Sequence, residues 1–112
     1  MTTRLTSLSN SDLFQEYNSI IDTEFVKRAN IRAEIDRRRI DNEVKFEIRG
    51  YLPDINDEWP ARRIACSKVA DMLAKLEPET LWRIDANQAG KLSFLTVGEA
   101  CTMYRSTAKY GL

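Results

Sequence analysis

The chain has 112 residues, of which 43% are hydrophobic and 30% are charged, a composition typical of one globular domain rather than of a disordered segment. It contains no histidine, and its 17 acidic and 17 basic side chains cancel. The missing histidine excludes Ser-His, Cys-His and zinc-dependent catalysis in their usual forms. The neutral balance argues against a protein that lives on bare nucleic acid, because such proteins need a basic excess to neutralise phosphates.

The first nine residues are polar, and we expect a flexible segment (1–9) within a single domain that spans 1–112. They lack the apolar run of a secretory signal, and no uncharged apolar stretch approaches the roughly 20 residues of a membrane span. Cys66 and Cys101 stand in apolar surroundings without a CxxC spacing, which predicts buried packing thiols rather than a disulfide or a metal site. We therefore expect a cytoplasmic protein.

A long N-terminal helix is the main structural prediction. It begins near Asn10, a residue that suits a helix cap, and it ends near Gly50, about 58 Å away at 1.5 Å per residue. No Gly or Pro interrupts this segment. Apolar side chains recur at helical spacing through its first half, namely Leu13, Phe14, Tyr17, Ile20, Ile21 and Phe25.

The last part of the same segment also fits a strand. Val44, Phe46 and Ile48 alternate with charged residues over 43–49, which is the period of a half-buried strand. In this alternative the helix breaks near Asp41-Asn42. Helical and strand patterns both fit these seven residues, so both remain open.

After a turn at 51–58, a helix is predicted from Trp59-Pro60 to Leu76, since proline suits the first turn of a helix. The next segment is ambiguous. It fits a short helix that ends near Gly90, or else 80–85 and 91–97 are the two strands of a hairpin, because apolar residues alternate there.

A capping box, Thr96-x-x-Glu99, predicts a final helix from Val97 to about Thr107. The fold class is therefore mainly α, with the long N-terminal helix packed against three shorter helices. The alternative is an α+β fold with a small antiparallel sheet. We expect the two tryptophans, Trp59 and Trp82, in the core.

No pattern in the sequence predicts catalysis. The four glycines are scattered singly, so no phosphate-binding loop is present. The acidic run 54–58 lacks the central glycine of a calcium loop and is better interpreted as a capped acidic turn. We expect no catalytic residues, no metal site, no cofactor and no enzymatic activity; an enzyme would have to use carboxylate or lysine chemistry.

One charged segment is a candidate binding site. Residues 27–39, hereafter the basic stretch, carry six basic and two acidic side chains, a net charge of +4. The flanking segments 1–26 and 41–58 carry −3 and −4. The basic side chains, predicted to contact a protein partner or nucleic acid, are Lys27, Arg28, Arg32, Arg37, Arg38 and Arg39. The plainer alternative is a solvated helix face whose arginines pair with nearby acids.

The alternating charge blocks favour self-association, because two such helices laid antiparallel would place acidic ends beside a basic middle. We therefore expect a homo-oligomer, with a homodimer as its simplest form. In general style this compact, histidine-free chain resembles small accessory proteins encoded by phages and mobile elements, including inhibitors of host defence systems. The predicted function is a protein-binding regulator, inhibitor or adaptor that occupies a partner surface. The alternative is a nucleic-acid-binding regulator that uses 27–39.

Overall fold

A computed structural model describes residues 2–21 and 23–111 of the chain. The structure is 61% helical, which confirms the mainly α prediction. In chain order, the described elements are α1 (Thr2–Thr6), α2 (Asn10–Asn18), α3 (Phe25–Arg37), α4 (Asn42–Arg49), α5 (Leu52–Ile55), α6 (Ala61–Ala74), β1 (Leu81–Ala86), β2 (Leu92–Thr96) and α7 (Val97–Tyr110).

The long N-terminal helix is wrong, because the segment breaks twice. The first break follows α2, where the Ser19 hydroxyl donates to the Gln15 carbonyl at 2.7 Å, a side-chain bond that competes with helix continuation. The second break follows α3, where the Ile40 backbone N–H donates to the Leu81 carbonyl of β1 at 2.9 Å. Asp41 then caps the next helix, since its carboxylate accepts from the Glu43 N–H at 2.8 Å.

The predicted break near Asp41-Asn42 is therefore correct, but 43–49 is a helix and not a strand. Ile48 is buried and Val44 is half-buried one turn before it, whereas Phe46 is 77% exposed. Of the three alternating apolar side chains that suggested a strand, one therefore lies in solvent. Burial follows the i, i+4 spacing of a helix instead.

The hairpin alternative is confirmed and the short helix after Pro78 is wrong. β1 and β2 form a two-stranded sheet, and Asn87 organises the turn between them. Its side-chain Oδ1 accepts from the N–H groups of Ala89 and Lys91 at 3.0 Å each, while Gly90 adopts a positive φ of 78°. Local side-chain bonds of this kind make Asn a turn former rather than a helix former.

Contacts divide the described residues into two compact units. Unit 1 contains the residues up to Arg39 together with Arg83–Phe94, and unit 2 contains Ile40–Trp82 and the residues from Leu95 onward. The single-domain description therefore stays a prediction. The segment expected to be flexible contains α1, and its Leu5 is buried at 6% exposure.

Unit 1 packs α2 and α3 around an apolar centre. The Phe14 ring lies 4.6 Å from the Phe94 ring, measured between centroids. Asn18 fixes the start of β2, because its Nδ2 donates to the Leu92 carbonyl at 2.8 Å and its Oδ1 accepts from the Leu92 N–H at 2.7 Å. The buried apolar side chains of this unit are Leu5, Leu13, Phe14, Ile31, Ile35 and Leu92.

Unit 2 centres on the pair α6 and α7. The predicted capping box of α7 is present in both directions between Thr96 and Glu99. Cys66 and Cys101 are buried and free, as expected, and burial raises the pKa of the Cys66 thiol. The core residues of this unit are Ile40, Ile48, Val69, Ala70, Leu73, Val97, Ala100 and Cys101.

The tryptophans differ. Trp82 is half-buried and meets the Tyr104 ring edge-on at 6.4 Å, whereas Trp59 is 47% exposed, so its core placement is wrong. Among the described residues, none of the helices is both long and apolar enough to span a membrane.

Candidate partner-binding surface

The basic stretch folds as the body and C-terminal end of α3. Lys27 lies in the first turn, Arg37 is the last helical residue, and Arg38 is the C-cap. Five of the six predicted residues therefore lie in α3 or at its C-cap, whereas Arg39 follows the C-cap. Their neighbours divide them into three groups with different roles.

Arg38 is a structural residue. Its side chain is only 13% exposed. Its Nη2 donates to the Leu5 carbonyl at 2.9 Å, and its Nη1 donates to Asn10 Oδ1 at 3.0 Å. The Leu5 carbonyl lies in the last turn of α1, where carbonyls have no partner within the helix, and it accepts from both the Leu8 N–H and Arg38. The guanidinium thus ties α1 and α2 to α3.

Glu34, within α3, binds both Arg38 and its neighbour Arg37. Its side chain is 7% exposed and accepts from Arg37 Nη2 at 2.6 Å and from Arg38 Nε at 2.8 Å. Hydrogen bonding by the Arg37 guanidinium holds the pKa of Glu34 below its usual value, with a smaller contribution from Arg38; burial acts in the opposite direction. Glu34 is therefore an anion at neutral pH.

Three further arginines of the basic stretch contact side chains of unit 1. Arg32 and Arg39 lie 3.5 and 3.9 Å from the Asp36 carboxylate, and the Arg28 guanidinium lies 6.0 Å from the centre of the Tyr17 ring. For Arg32 and Arg39 the structure matches the plainer alternative of a helix face whose charges pair with acids one turn away.

Lys27 differs from these five arginines. Its side chain is exposed and makes no hydrogen bond or ion pair within the described residues. Its charge does act at a distance on Glu16, whose pKa is lowered chiefly by the hydrogen bond from Arg4. Lys27 is thus the member of the predicted set whose ammonium is most available to a partner.

A groove runs between α1 and α3 beside Lys27, and we call it the α1–α3 groove. It consists of two adjoining cavities of about 370 and 240 Å³ that share Leu5 and Asn30. The first is also lined by Arg4, Val26, Lys27 and Ile31, and the second by Thr6, Ala33, Glu34 and Arg37. The groove therefore brings together two residues of the predicted set, Lys27 and Arg37. Arg28, Arg32, Arg38 and Arg39 do not line it.

Exposed apolar side chains lie at the start of α3 and just before it, and one of them, Val26, lines the first cavity. Ile21, Phe25 and Val26 are 63%, 72% and 77% exposed, and we call them the apolar shoulder. The sequence reasoning missed this feature, since it placed Ile21 and Phe25 on the core stripe of one helix. No sequence signal marked it, because consecutive large apolar residues also occur in the core, as the buried pair Leu13-Phe14 of α2 shows.

These groups are suited to noncovalent contacts. Among residues 2–21 and 23–111, no cluster of three or more Cys, Asp or Glu side chains could hold a metal ion. The surface instead combines an apolar lining, exposed apolar side chains and a lysine ammonium. Comparisons of the chain with protein-family models, with curated proteins and with solved structures found no match.

Proposed function

We propose that the protein is a non-enzymatic cytoplasmic regulator, inhibitor or adaptor, of the kind that phages and mobile elements encode. It would act by occupying a partner protein through the apolar shoulder and the α1–α3 groove. The observation that carries this proposal is the exposure of Val26, which lines the groove, and of its neighbour Phe25. Exposed apolar side chains next to a concave surface are typical of protein-binding sites.

The ion pairs of α3 support a protein partner over nucleic acid. Binding to a phosphate backbone gains affinity from each cation that releases a counterion. Arg37 and Arg38 share Glu34, and Arg32 and Arg39 share Asp36. The paired carboxylates partly offset the charge of these four arginines, so the net gain from phosphate contacts is reduced. We therefore keep nucleic acid as an outcome of the test rather than as the proposal.

The test is capture of partners by the tagged protein from its native host lysate, with and without nuclease. The double variant Phe25→Ser/Val26→Ser should lose the dominant partner. The control Phe46→Ser should retain it, because Phe46 is equally exposed, at 77%, but lies in unit 2.

Two results would refute the proposal. One is capture by the double variant equal to that of the parent. The other is a partner that disappears with nuclease, which would assign the function to nucleic acid. A binding constant that falls steeply with salt would support that second assignment.

We further propose a homo-oligomer, supported by opposite charges on two exposed segments. Acids of the segment 41–58, among them Glu43, Glu47 and Asp54, are exposed. Charge reversal at Arg39 together with Lys27 should weaken self-association in sedimentation velocity, whereas reversal of Arg38 would disturb the fold itself. A parent protein that stays monomeric at all concentrations would exclude this arrangement.

A further inference from the structure

We infer that the α1–α3 groove receives an acidic amphipathic helix from the partner. This inference rests on the proposed function and names the chemistry of the occupant. It follows from the length of the groove, from its apolar lining and from the cations at its two ends.

The length of the groove suits a short helix. Its lining on α3 extends from Val26 and Lys27 at one end to Arg37 at the other, a distance of about 15 Å at 1.5 Å per residue. An amphipathic helix of about three turns covers that distance and presents apolar side chains at i, i+3 or i+4, and i+7. Leu5 and Ile31 line the groove but are only 6% and 1% exposed. The apolar contact available to those side chains therefore comes mainly from Val26 and Ala33, which line it and are exposed.

The charge along the rim is positive. Lys27 makes no ion pair within the described residues, and Arg37 keeps 62% of its side chain exposed while it donates to Glu34. The groove carboxylate, Glu34, is 7% exposed and already accepts from two arginines, so it would not repel an incoming acid strongly. Arg4 adds a further cation on the α1 side, although it is paired with Glu16.

The start of α3 adds to this preference. Its first turn contains no acidic residue, and the N-cap Glu24 makes no capping hydrogen bond with its side chain. Glu24, directly before this turn, partly offsets the partial positive charge of the helix N-terminus, while Lys27 and Arg28 add two positive charges within the turn. A partner carboxylate beside Lys27 would interact with both the ammonium and this helix end.

The spacing of the two cations defines the probe. Lys27 and Arg37 are ten positions apart on α3, so a partner helix lying alongside should carry its acids about ten positions apart, with leucines between them. Two synthetic peptides of about 15 residues match this design. They share an alanine-rich helix with two leucines and differ only in having glutamate or lysine at the two outer positions.

The experiment measures fluorescence anisotropy of each labelled peptide with the full chain. The acidic probe should bind at least about tenfold more tightly than the basic probe, and added salt should weaken it. Lys27→Glu should reduce affinity for the acidic probe about tenfold and improve that for the basic probe. The control Lys68→Glu makes the same charge change at an exposed residue of α6 in unit 2 and should have no effect.

Equal affinity for the two probes, no binding of the acidic probe up to about 1 mM, or equal effects of the two lysine variants would overturn the inference. Such a failure differs from failure of the proposed function. If the acidic probe fails while Phe25→Ser/Val26→Ser still loses its captured protein, the partner surface stands and only its acidic occupant is wrong. If no protein is captured through the shoulder, the proposed function fails independently of the peptides.

Discussion

Replacing Arg38 with alanine should destabilise the protein far more than replacing its neighbour Arg37. Arg38 is 13% exposed and joins α3 to the Leu5 carbonyl and to the Asn10 side chain, besides Glu34. Arg37 is 62% exposed and contacts Glu34 alone through two hydrogen bonds. Both adjacent arginines pair with Glu34, but only the loss of Arg38 also removes a donor from the Leu5 carbonyl and from the Asn10 side chain.

The magnitude follows from the contacts that are lost. Hydrogen bonds to charged groups contribute about 1.5–3 kcal/mol each when buried, and we take about 1 kcal/mol for each of three because water can partly replace the Arg38 side chain. The loss is then about 3 kcal/mol. A chain of 112 residues gains about 0.24 kcal/mol per kelvin of entropy on unfolding, so the expected fall in Tm is about 13 °C.

Urea and thermal unfolding followed by circular dichroism measure both effects. Arg37→Ala is the matched control and should lose less stability, because Arg37 is itself 62% exposed and Glu34 keeps its hydrogen bond from Arg38. Arg38→Lys should recover only part of the loss, since an ammonium cannot reproduce the planar fork that reaches several acceptors. Equal, small losses for Arg38→Ala and Arg37→Ala would refute the structural role of Arg38.

Three further predictions concern unit 1 and the start of α7. Because the folded pKa of Glu34 is lowered, its contribution to stability is present above the ordinary glutamate pKa and is lost as pH falls through the folded value, so the unfolding free energy should decrease below about pH 4.3. Glu34→Gln should flatten that decrease, and a variant with the parent's slope would contradict the assignment. Asn18→Ala should cost about 2 kcal/mol and speed amide exchange at Leu92, because the Leu92 backbone loses both of its hydrogen bonds to the Asn18 side chain. Unchanged exchange at Leu92 would show that these two bonds do not hold the start of β2. Thr96→Ala should cost about 1 kcal/mol in thermal unfolding, while Thr96→Ser should retain the cap; equal losses would show that the hydroxyl is not the stabilising group.

The elements that the sequence predicted well are those with local signals. The capping box at Thr96 and Glu99 fixes the start of α7 without help from the rest of the chain, because both bonds form within three residues. The start of α6 near Trp59-Pro60 was likewise placed to within two residues. Such signals need no knowledge of tertiary contacts.

The long helix failed because its second break depends on a distant residue. Nothing between Arg37 and Asp41 is a strong helix breaker, and only the bond from Ile40 to Leu81, some forty positions away, reveals why the chain extends there. Sequence patterns report propensity and period, and tertiary pairing overrides both. Once this break is present, Asp41 acts as an N-cap and α4 follows.

The sequence predicted charged residues of the candidate site but not the groove that they line. The sequence identified Lys27 and Arg37, which line the groove, together with four arginines that do not. It could not show that α1 lies against α3, because a five-residue segment with a single apolar side chain, Leu5, carries no helical pattern strong enough to predict a docking partner. The groove could therefore not be predicted from the sequence.

The pairing within α3 changes what its net charge of +4 means for a partner. Affinity for phosphates depends on the number of cations that can release counterions on contact. The net charge of residues 27–39 does not give that number. Arg38 has its donors directed at Glu34, Asn10 and the end of α1, so its charge is part of the fold. Lys27, in contrast, lines the groove next to the exposed Val26. One accessible ammonium among exposed apolar side chains favours a partner with a few acids set in an apolar face, because each added contact there comes from burial rather than from further cations.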